Sequence, residues 1–318
     1  MAQVETVSGP VDSGSLGVTL VHEHLRSTAE NVREQFPHLY DEERENARAV
    51  EWVRKAMENG VRTIADPACM DLGRSVELAR HVVDQTGIQL VMCTGIYGSH
   101  YTFLPKHFQN REVDYLADVF VHDIEQGIQG TGIKAAFIKC AADEPGVTPN
   151  VEKVHRAAAR ASLQTGRPIM AHSRPASGTG LEQMRVIGEE GVEPSKVQVA
   201  HTGDTDDLDY IERLLDTGCW IGMDRYGLDI FLPTEQRQQT VLALLEKGHA
   251  DRMFLSQDWC STIDWFTPEL EEQLKPVAAP NWSMTFLFEQ VIPELKECGM
   301  TGDQLDQMMV ENPKRWLA

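Results

Sequence analysis

Short apolar runs rich in valine and isoleucine alternate along the chain with longer segments in which apolar residues recur every three or four positions. The short runs have the length of buried strands, and the longer segments have the period of helices with one apolar face. The eight predicted strands are Val18–His22, Val61–Asp66, Ile88–Thr94, Ile133–Cys140, Pro168–His172, Lys196–His201, Cys219–Asp224 and Arg252–Asp258.

Strand and helix patterns alternate eight times, which favours parallel strands joined by right-handed helical crossovers. No Gly-x-Gly-x-x-Gly follows the first strand, so an open nucleotide-binding sheet is less favoured than a closed (β/α)8 barrel. The predicted helices are Glu43–Asn59, Gly73–Thr86, Val113–Ile128, Val151–Thr165, Gly180–Glu190, Asp206–Asp216 and Thr234–Lys247, followed by Met284–Cys298 and Asp303–Glu311.

The 318 residues contain no linker or repeat that would divide them, so we expect a single α/β domain over residues 1–318. Residues 1–15 precede the first strand as an N-terminal extension. The longest predicted loop covers residues 259–282, after the eighth strand. Long loops at the strand ends of a barrel commonly act as active-site lids.

Charge and hydropathy narrow the possible partners and the compartment. The net charge of −20, from 49 acidic and 29 basic residues, would repel a phosphate backbone, so we expect no nucleic-acid partner. No apolar stretch reaches the roughly 18 residues of a membrane helix, and the first ten residues do not have the pattern of a signal peptide. These features predict a cytoplasmic protein without a membrane partner.

Metal-binding residue types fall at the ends of the predicted strands, which meet on one rim of a barrel. A single residue separates His22 from His24, and residues so spaced share one face of a strand. Imidazole and carboxylate groups are the usual ligands of zinc and similar ions. Each histidine alone also fits a hydrogen-bonded core residue, and Asp258 alone fits a helix cap. The six candidates are His22, His24, Lys139, His172, His201 and Asp258.

Lys139 follows an apolar run and is predicted to be buried. Burying an unpaired ammonium costs several kcal/mol and lowers its pKa, so a chemical role is expected. The amine could act as a base or could carry an anionic group that bridges two cations. The other histidines lie in predicted helices or loops and are expected to be solvated: His38, His81, His100, His107, His122, His155 and His249.

Several motifs identify a family. The chain resembles the phosphotriesterase-like lactonases of the amidohydrolase superfamily almost from end to end. The motifs that carry the resemblance are Val21-His22-Glu23-His24-Leu25, Thr94-Gly95-Ile96-Tyr97, Asp123-Ile124-Glu125-Gln126-Gly127-Ile128, Lys139-Cys140-Ala141-Ala142-Asp143-Glu144-Pro145-Gly146, His201-Thr202-Gly203-Asp204-Thr205-Asp206, Asp224-Arg225-Tyr226-Gly227-Leu228-Asp229 and Thr262-Ile263-Asp264-Trp265.

The resemblance implies a barrel with two divalent metal ions, zinc above all, with cobalt, manganese or iron as alternatives. His22, His24 and Asp258 would bind the more buried ion, and His172 and His201 the more exposed one. Lys139 would be an N6-carboxylysine that bridges both ions together with a hydroxide. The family resemblance also implies a homodimer.

The same resemblance assigns the substrate cavity. Tyr97 and Arg225 would lie near the exposed metal, and Cys260, Trp265 and Trp282 would form the wall. One departure is Gln257, which stands before Asp258 where many relatives have histidine. Because neighbouring side chains on a strand point to opposite faces, we expect Gln257 to alter the surrounding packing and leave ligation by Asp258 intact.

These residues support a hydrolytic hypothesis. A hydroxide shared by the two metals would attack a carbonyl or phosphorus centre, Tyr97 would stabilise the oxyanion, and Asp258 would carry the proton to the leaving group. The aromatic loop 259–282 favours lactones with an acyl tail, such as the N-acyl-homoserine lactones of quorum sensing, with weak organophosphate hydrolysis. The alternatives are a primary phosphotriesterase and, more remotely, a non-catalytic lactone-binding barrel.

Overall fold

The computed structural model describes residues 2–98 and 104–318; His100 lies outside them. In this part of the chain, eight parallel strands follow one another in sequence order around a sheet. All eight predicted strands are present, with ends that shift by a few residues. The observed strands are Thr19–Leu20, Thr63–Asp66, Gln89–Gly95, Phe137–Ala141, Ile169–His172, Val197–Ala200, Trp220–Met223 and Met253–Leu255.

Short strands close the sheet into a barrel. Glu23–His24 pairs in parallel with Trp259–Cys260, which joins the chain after the first barrel strand to the chain after the eighth. The amide of Asp258 also donates to the carbonyl of His22 at 3.0 Å. The predicted (β/α)8 barrel is therefore confirmed.

All seven predicted crossover helices are present around the barrel. They begin near polar caps such as Asp41, Ser75 and Thr148, whose side chains accept hydrogen bonds from the first turn. Their bounds are Glu42–Glu58, Val76–Thr86, Val113–Glu125, Pro149–Thr165, Thr179–Glu189, Leu208–Asp216 and Thr234–Glu246.

The remaining helices lie in the connections and after the last strand. The predicted helix 284–298 is a π-helical turn followed by an α-helix, and the predicted helix 303–311 extends to Leu317. The helices of these segments are Glu30–Gln35, Lys106–Gln109, Pro268–Ala278, Leu287–Val291, Ile292–Glu297, Gly302–Asp306, Gln307–Glu311 and Asn312–Leu317.

Two regions differ from the sequence-based expectation. The N-terminal extension contains an antiparallel hairpin of Gln3–Thr6 and Gly9–Asp12. The loop 259–282 contains the helix Pro268–Ala278, so the prediction of a long unstructured loop was wrong. Thr267 caps this helix and Pro268 occupies its first turn, a start signal that the density of aromatic residues and prolines in this segment obscured.

Alternating side chains along each strand divide the core into two layers. Ile64, Ile138 and Ile169 pack outward against the helices, whereas Phe137 and Met170 point inward. This period of two also places Lys139 inside the barrel, because it shares the parity of Phe137. Among the described helices, none is long and apolar enough to cross a membrane.

Candidate metal centre and active site

The predicted ligands converge because the barrel brings the strand ends together. His22, His24, His172 and His201 are all at least 95 % buried. His201 directly follows the strand Val197–Ala200, and Asp258 directly precedes the short strand Trp259–Cys260; both adopt left-handed backbone angles, with φ of 63° and 53°. These turns follow strands six and eight, and they place both side chains in the cavity that the other ligands line.

Asp258 lies at the centre of the first group of possible metal ligands. Its Oδ1 is 3.3 Å from Nε2 of His22 and 3.3 Å from Nε2 of His24. One ligand atom from each of these three residues lies within 4.8 Å of the others. The set of two imidazoles and a carboxylate is one that a divalent cation accepts.

Asp224 forms a second group with His22 and His201. Its carboxylate accepts hydrogen bonds from Nδ1 of His22 (2.9 Å) and from Nδ1 (3.0 Å) and the amide (2.8 Å) of His201. Burial alone would raise the pKa of Asp224, but the two histidines hold it well below its usual value. We interpret Asp224 as the acceptor that fixes both rings, so that each Nε2 lone pair is available to a metal.

Unpartnered nitrogen atoms support this interpretation. Nε2 of His201 is buried and has no hydrogen-bond partner among the described residues. The buried Nδ1 of His24 also has none, and it lies 3.8 Å from Oδ1 of Asp66. Burial lowers the pKa of His22 and of His172 to about 4, so both rings are neutral near pH 7. Neutral imidazoles with a free buried lone pair are the state that a metal ion requires.

Lys139 lies inside the fourth strand, two residues before its end, and is 1 % exposed. Its Nζ is 3.2 Å from Nε2 of His22 and 3.3 Å from Sδ of Met170. No ion pair of Lys139 with a carboxylate occurs among the residues the structure describes. Burial lowers the pKa of Lys139, which favours the neutral amine.

His172 lies beside His201, with ring centroids 4.5 Å apart, but it belongs to neither of the two ligand groups. Its Nε2 is 3.0 Å from the hydroxyl of Tyr97 and 3.5 Å from Oδ2 of Asp143. Tyr97 is held by Asp71, whose Oδ1 accepts from the Tyr97 amide at 2.7 Å. The structure therefore positions the Tyr97 hydroxyl next to a candidate ligand.

Arg225 contacts the candidate ligand Asp258 directly. Its Nε donates to Oδ2 of Asp258 (2.8 Å), and its Nη1 donates to Oδ2 of Asp204 (2.9 Å). The other oxygen of Asp204 accepts from the fully buried Arg237 at 2.9 Å. Negative and positive side chains thus alternate in this row of ion pairs from Asp258 to Arg237. Arg225 fixes one oxygen of Asp258 and leaves the other facing His22 and His24.

Glu23 is an important residue that the sequence reasoning missed. It is fully buried, and its carboxylate accepts four hydrogen bonds, from Ser256 Oγ, Gln257 N, Gln257 Nε2 and Trp259 N, at 2.8–2.9 Å. These bonds tie the segment that carries His22 and His24 to the segment that carries Asp258. The sequence feature that could have identified Glu23 is its position between the two histidines, because strand alternation turns its side chain away from the candidate metal site.

Gln257 completes this network. Its Nε2 donates to Glu23 (2.9 Å) and to the carbonyl of Met284 (3.2 Å), while its Oε1 accepts from the amide of Leu287 (3.1 Å). The side chain points away from the ligand atoms, as predicted, and the left-handed backbone angle of Asp258 replaces the strand alternation on which the prediction was based. One histidine was misassigned: His155, expected to be solvated, is fully buried and hydrogen-bonded to Val151 and Gln183.

A single cavity of about 280 Å³ contains all the predicted site residues. Its polar floor consists of the candidate metal ligands, and its walls are largely apolar and aromatic. The six predicted ligands and five predicted cavity residues that line it are His22, His24, Tyr97, Lys139, His172, His201, Arg225, Asp258, Cys260, Trp265 and Trp282.

A parallel barrel with buried histidines and carboxylates at its strand ends defines a metal-dependent hydrolase. A sequence model of the Phosphotriesterase family matches residues 2–317. The chain belongs to this family, which confirms the family resemblance found in the motifs.

Individual relatives agree with this membership. The chain is 50 % identical to an aryldialkylphosphatase of Saccharolobus solfataricus, over 97 % of both chains. It is 41 % identical to a phosphotriesterase homology protein of Mycobacterium tuberculosis, over 99 % of this chain and 97 % of that protein. The structure of the phosphotriesterase from Mycobacterium tuberculosis superposes with a TM-score of 0.92 at 40 % identity, covering 99 % of this chain and 98 % of that one. The chain is therefore an ester hydrolase.

Proposed function

We propose that this hydrolase opens lactones and that it does so with two divalent cations. His22, His24 and Asp258 would hold one cation, and His172 and His201 the other. An N6-carboxylated Lys139 would bridge them. Two observations support this assignment: Nε2 of His201 is buried without a hydrogen-bond partner among the described residues, and burial lowers the pKa of Lys139, which favours the uncharged amine that carboxylation requires. Nitrogen and oxygen ligands favour zinc, with cobalt, manganese or iron as alternatives.

When bound, the cations would lower the pKa of a shared water and polarise the oxygen of the substrate's carbonyl or phosphoryl group. The chain's own residues have distinct parts. Asp258 accepts the proton of the attacking water, with its Oδ2 fixed by Arg225 at 2.8 Å. Tyr97, whose hydroxyl lies 3.0 Å from His172, donates a hydrogen bond to the developing oxyanion.

The apolar wall of the cavity is the observation that carries the choice of substrate. Leu72, Leu228, Phe231 and Leu274 line it together with the predicted aromatic residues. A straight acyl chain buried against such a wall gains about 0.8 kcal/mol for each methylene group. N-Acyl-homoserine lactones combine an ester ring with such a chain, so quorum quenching would be the resulting activity.

Phosphotriester hydrolysis is the second candidate, and the aryldialkylphosphatase named above favours it. Attack on phosphorus and attack on a carbonyl use the same ligands, so we propose it as a weak side activity. A non-catalytic lactone-binding barrel is a remote third candidate. Metal-free, inactive protein after expression with added zinc, manganese or cobalt would favour it. The homodimer and the cytoplasmic location stay predictions.

The test is a comparison of kcat/KM on metal-reconstituted protein. The substrates are a series of N-acyl-homoserine lactones, an unsubstituted γ- or δ-lactone, and paraoxon. We expect lactone values at least about a hundredfold above paraoxon, which is roughly 2.7 kcal/mol of transition-state stabilisation. The reverse order would identify a primary phosphotriesterase and would overturn the lactone proposal while leaving the metal assignment intact.

A further inference from the structure

Two cationic side chains line the same cavity as the candidate metal ligands. Arg48 comes from the helix Glu42–Glu58, and Lys275 comes from the helix Pro268–Ala278. Both lie against the ring of the buried Trp259: Cζ of Arg48 is 5.8 Å from the ring centroid, and Nζ of Lys275 is 5.6 Å from it. Two separate segments of the chain thus bring positive charge to one aromatic side chain in the cavity.

Two acidic side chains lie near these charges without forming an ion pair with them. Within the described ranges, neither Arg48 nor Lys275 forms an ion pair with a carboxylate. Glu51 interacts electrostatically with Arg48, but its own ion pair is with Lys55 at 2.7 Å. Glu271 lines the cavity one helical turn before Lys275 without pairing with it.

Like charges beside one ring repel each other, and the repulsion is stronger for half-buried side chains such as these than it is in water. The aromatic ring of Trp259 attracts each cation and so stabilises both side chains beside it. This attraction does not cancel the repulsion between the two cations. An anionic group bound beside the ring would pair with both. A carboxylate fits because its two oxygens can accept hydrogen bonds from a guanidinium and an ammonium at the same time.

We propose that Arg48, Lys275 and Trp259 form a subsite for a carboxylate carried by the substrate. This inference rests on the proposed lactonase activity and narrows its substrate class to lactones whose acyl chain ends in a carboxylate. The ring of Trp259 supports the last methylene groups, and the two cations bind the terminal charge. Neutral acyl lactones reach the same metal centre without this contribution.

The experiment compares two homoserine lactones of equal length, one with an acyl chain that ends in methyl and one with a chain that ends in carboxylate. The measured quantity is the ratio of their kcat/KM values, over a series of chain lengths. We expect the wild-type ratio to favour the carboxylate by about tenfold at its best length. High salt should reduce this ratio, because it screens the charges.

Three substitutions test the residues. Lys275→Met and Arg48→Met remove one charge each and keep an apolar stem against Trp259, so each should lower the ratio several-fold. Glu271→Gln removes a negative charge from the cavity lining, which would repel a bound carboxylate, and should raise the ratio. Lys247→Met is the matched control, since Lys247 is exposed and absent from the cavity lining, and it should leave the ratio unchanged.

The outcomes separate this inference from the proposed function. If the wild type hydrolyses neutral lactones well and the carboxylate form no better at any length, the subsite is refuted and the lactonase stands. A ratio that is the same in Lys275→Met, Arg48→Met and the wild type would also refute it. If neither lactone is hydrolysed while paraoxon is, the proposed function itself fails.

Discussion

Asp224 offers a sharp test of how the chain prepares its metal ligands. Replacing it with asparagine keeps the size and shape but turns one accepting oxygen into an NH₂ donor. The native carboxylate accepts from Nδ1 of His22 on one oxygen, and from Nδ1 and the amide of His201 on the other. Asparagine can satisfy only one of these sides.

The consequence depends on which side the new amide faces. If it faces His22, that ring must give up its Nδ1 proton and carry a proton on Nε2, the atom that lies 3.3 Å from Asp258 and 3.2 Å from Lys139. If it faces His201, that residue loses the acceptor for its ring and its amide. Either way a candidate ligand loses the orientation or tautomer that metal binding needs.

Loss of such an orienting partner typically weakens metal binding by about 10–100-fold. That factor corresponds to about 1.4–2.7 kcal/mol of binding free energy. The assay is zinc binding to chelator-treated protein, measured by competition with a chromophoric chelator. Circular dichroism of the metal-free variant checks that the barrel is folded.

Asp207→Asn is the matched control, because Asp207 caps the helix Leu208–Asp216 and asparagine is an equally good cap. Its zinc affinity should equal that of the wild type. Gly222→Ala provides independent support: a Cβ there would lie 2.4 Å from Oδ2 of Asp224 and would displace the carboxylate. A folded Asp224→Asn variant with wild-type zinc affinity would show that Asp224 does not orient the ligands.

Two further predictions concern stability. In Glu23→Gln the new amide donor faces one of the donors of the four-bond network, which should lower the free energy of unfolding by about 2–3 kcal/mol. At about 2.1 cal/mol/K of unfolding entropy per residue, this loss should lower Tm by about 3–5 °C. A Tm equal to that of the wild type would contradict this prediction. Burial lowers the pKa of His155 to about 4, so below its ordinary value of 6.5 protons bind preferentially to the unfolded chain. His155 alone should therefore lower the stability by about 3 kcal/mol as the pH drops from about 6.5 to 4. The free energy of unfolding in urea should decline less with falling pH in His155→Gln than in the wild type, whereas the control His81→Gln, at an exposed position, should decline as the wild type does. Equal declines in the wild type and both variants would exclude the titration of His155 as a cause.

The strands and helices were predictable because each follows a local rule. Strands such as Ile169–His172 are continuous apolar runs, and the helices carry clear periodic faces. The ligands could be found because the barrel topology itself places strand ends together. The family motifs then supplied the pairing of ligands with metals, which no local pattern contains.

The missed residues depend on contacts between distant parts of the chain. Glu23 and Ser256 are 233 positions apart, and nothing in the sequence near either residue indicates their hydrogen bond. His155 lies on a helix whose apolar residues recur every three or four positions. Its burial depends on contacts such as that with Gln183, which the sequence around His155 does not indicate. The helix Pro268–Ala278 was missed because prolines and aromatics at its ends resemble a loop.

We propose above that six side chains hold two cations bridged by a carboxylated lysine. The most direct measurement is the number of zinc ions per chain, by mass spectrometry of protein reconstituted with and without bicarbonate, beside Lys139→Met and the control Lys247→Met. We expect two ions per chain for the wild type and the control, a dependence on bicarbonate, and loss of metal in Lys139→Met. Two ions per chain in Lys139→Met, or no more than one in the wild type, would contradict it.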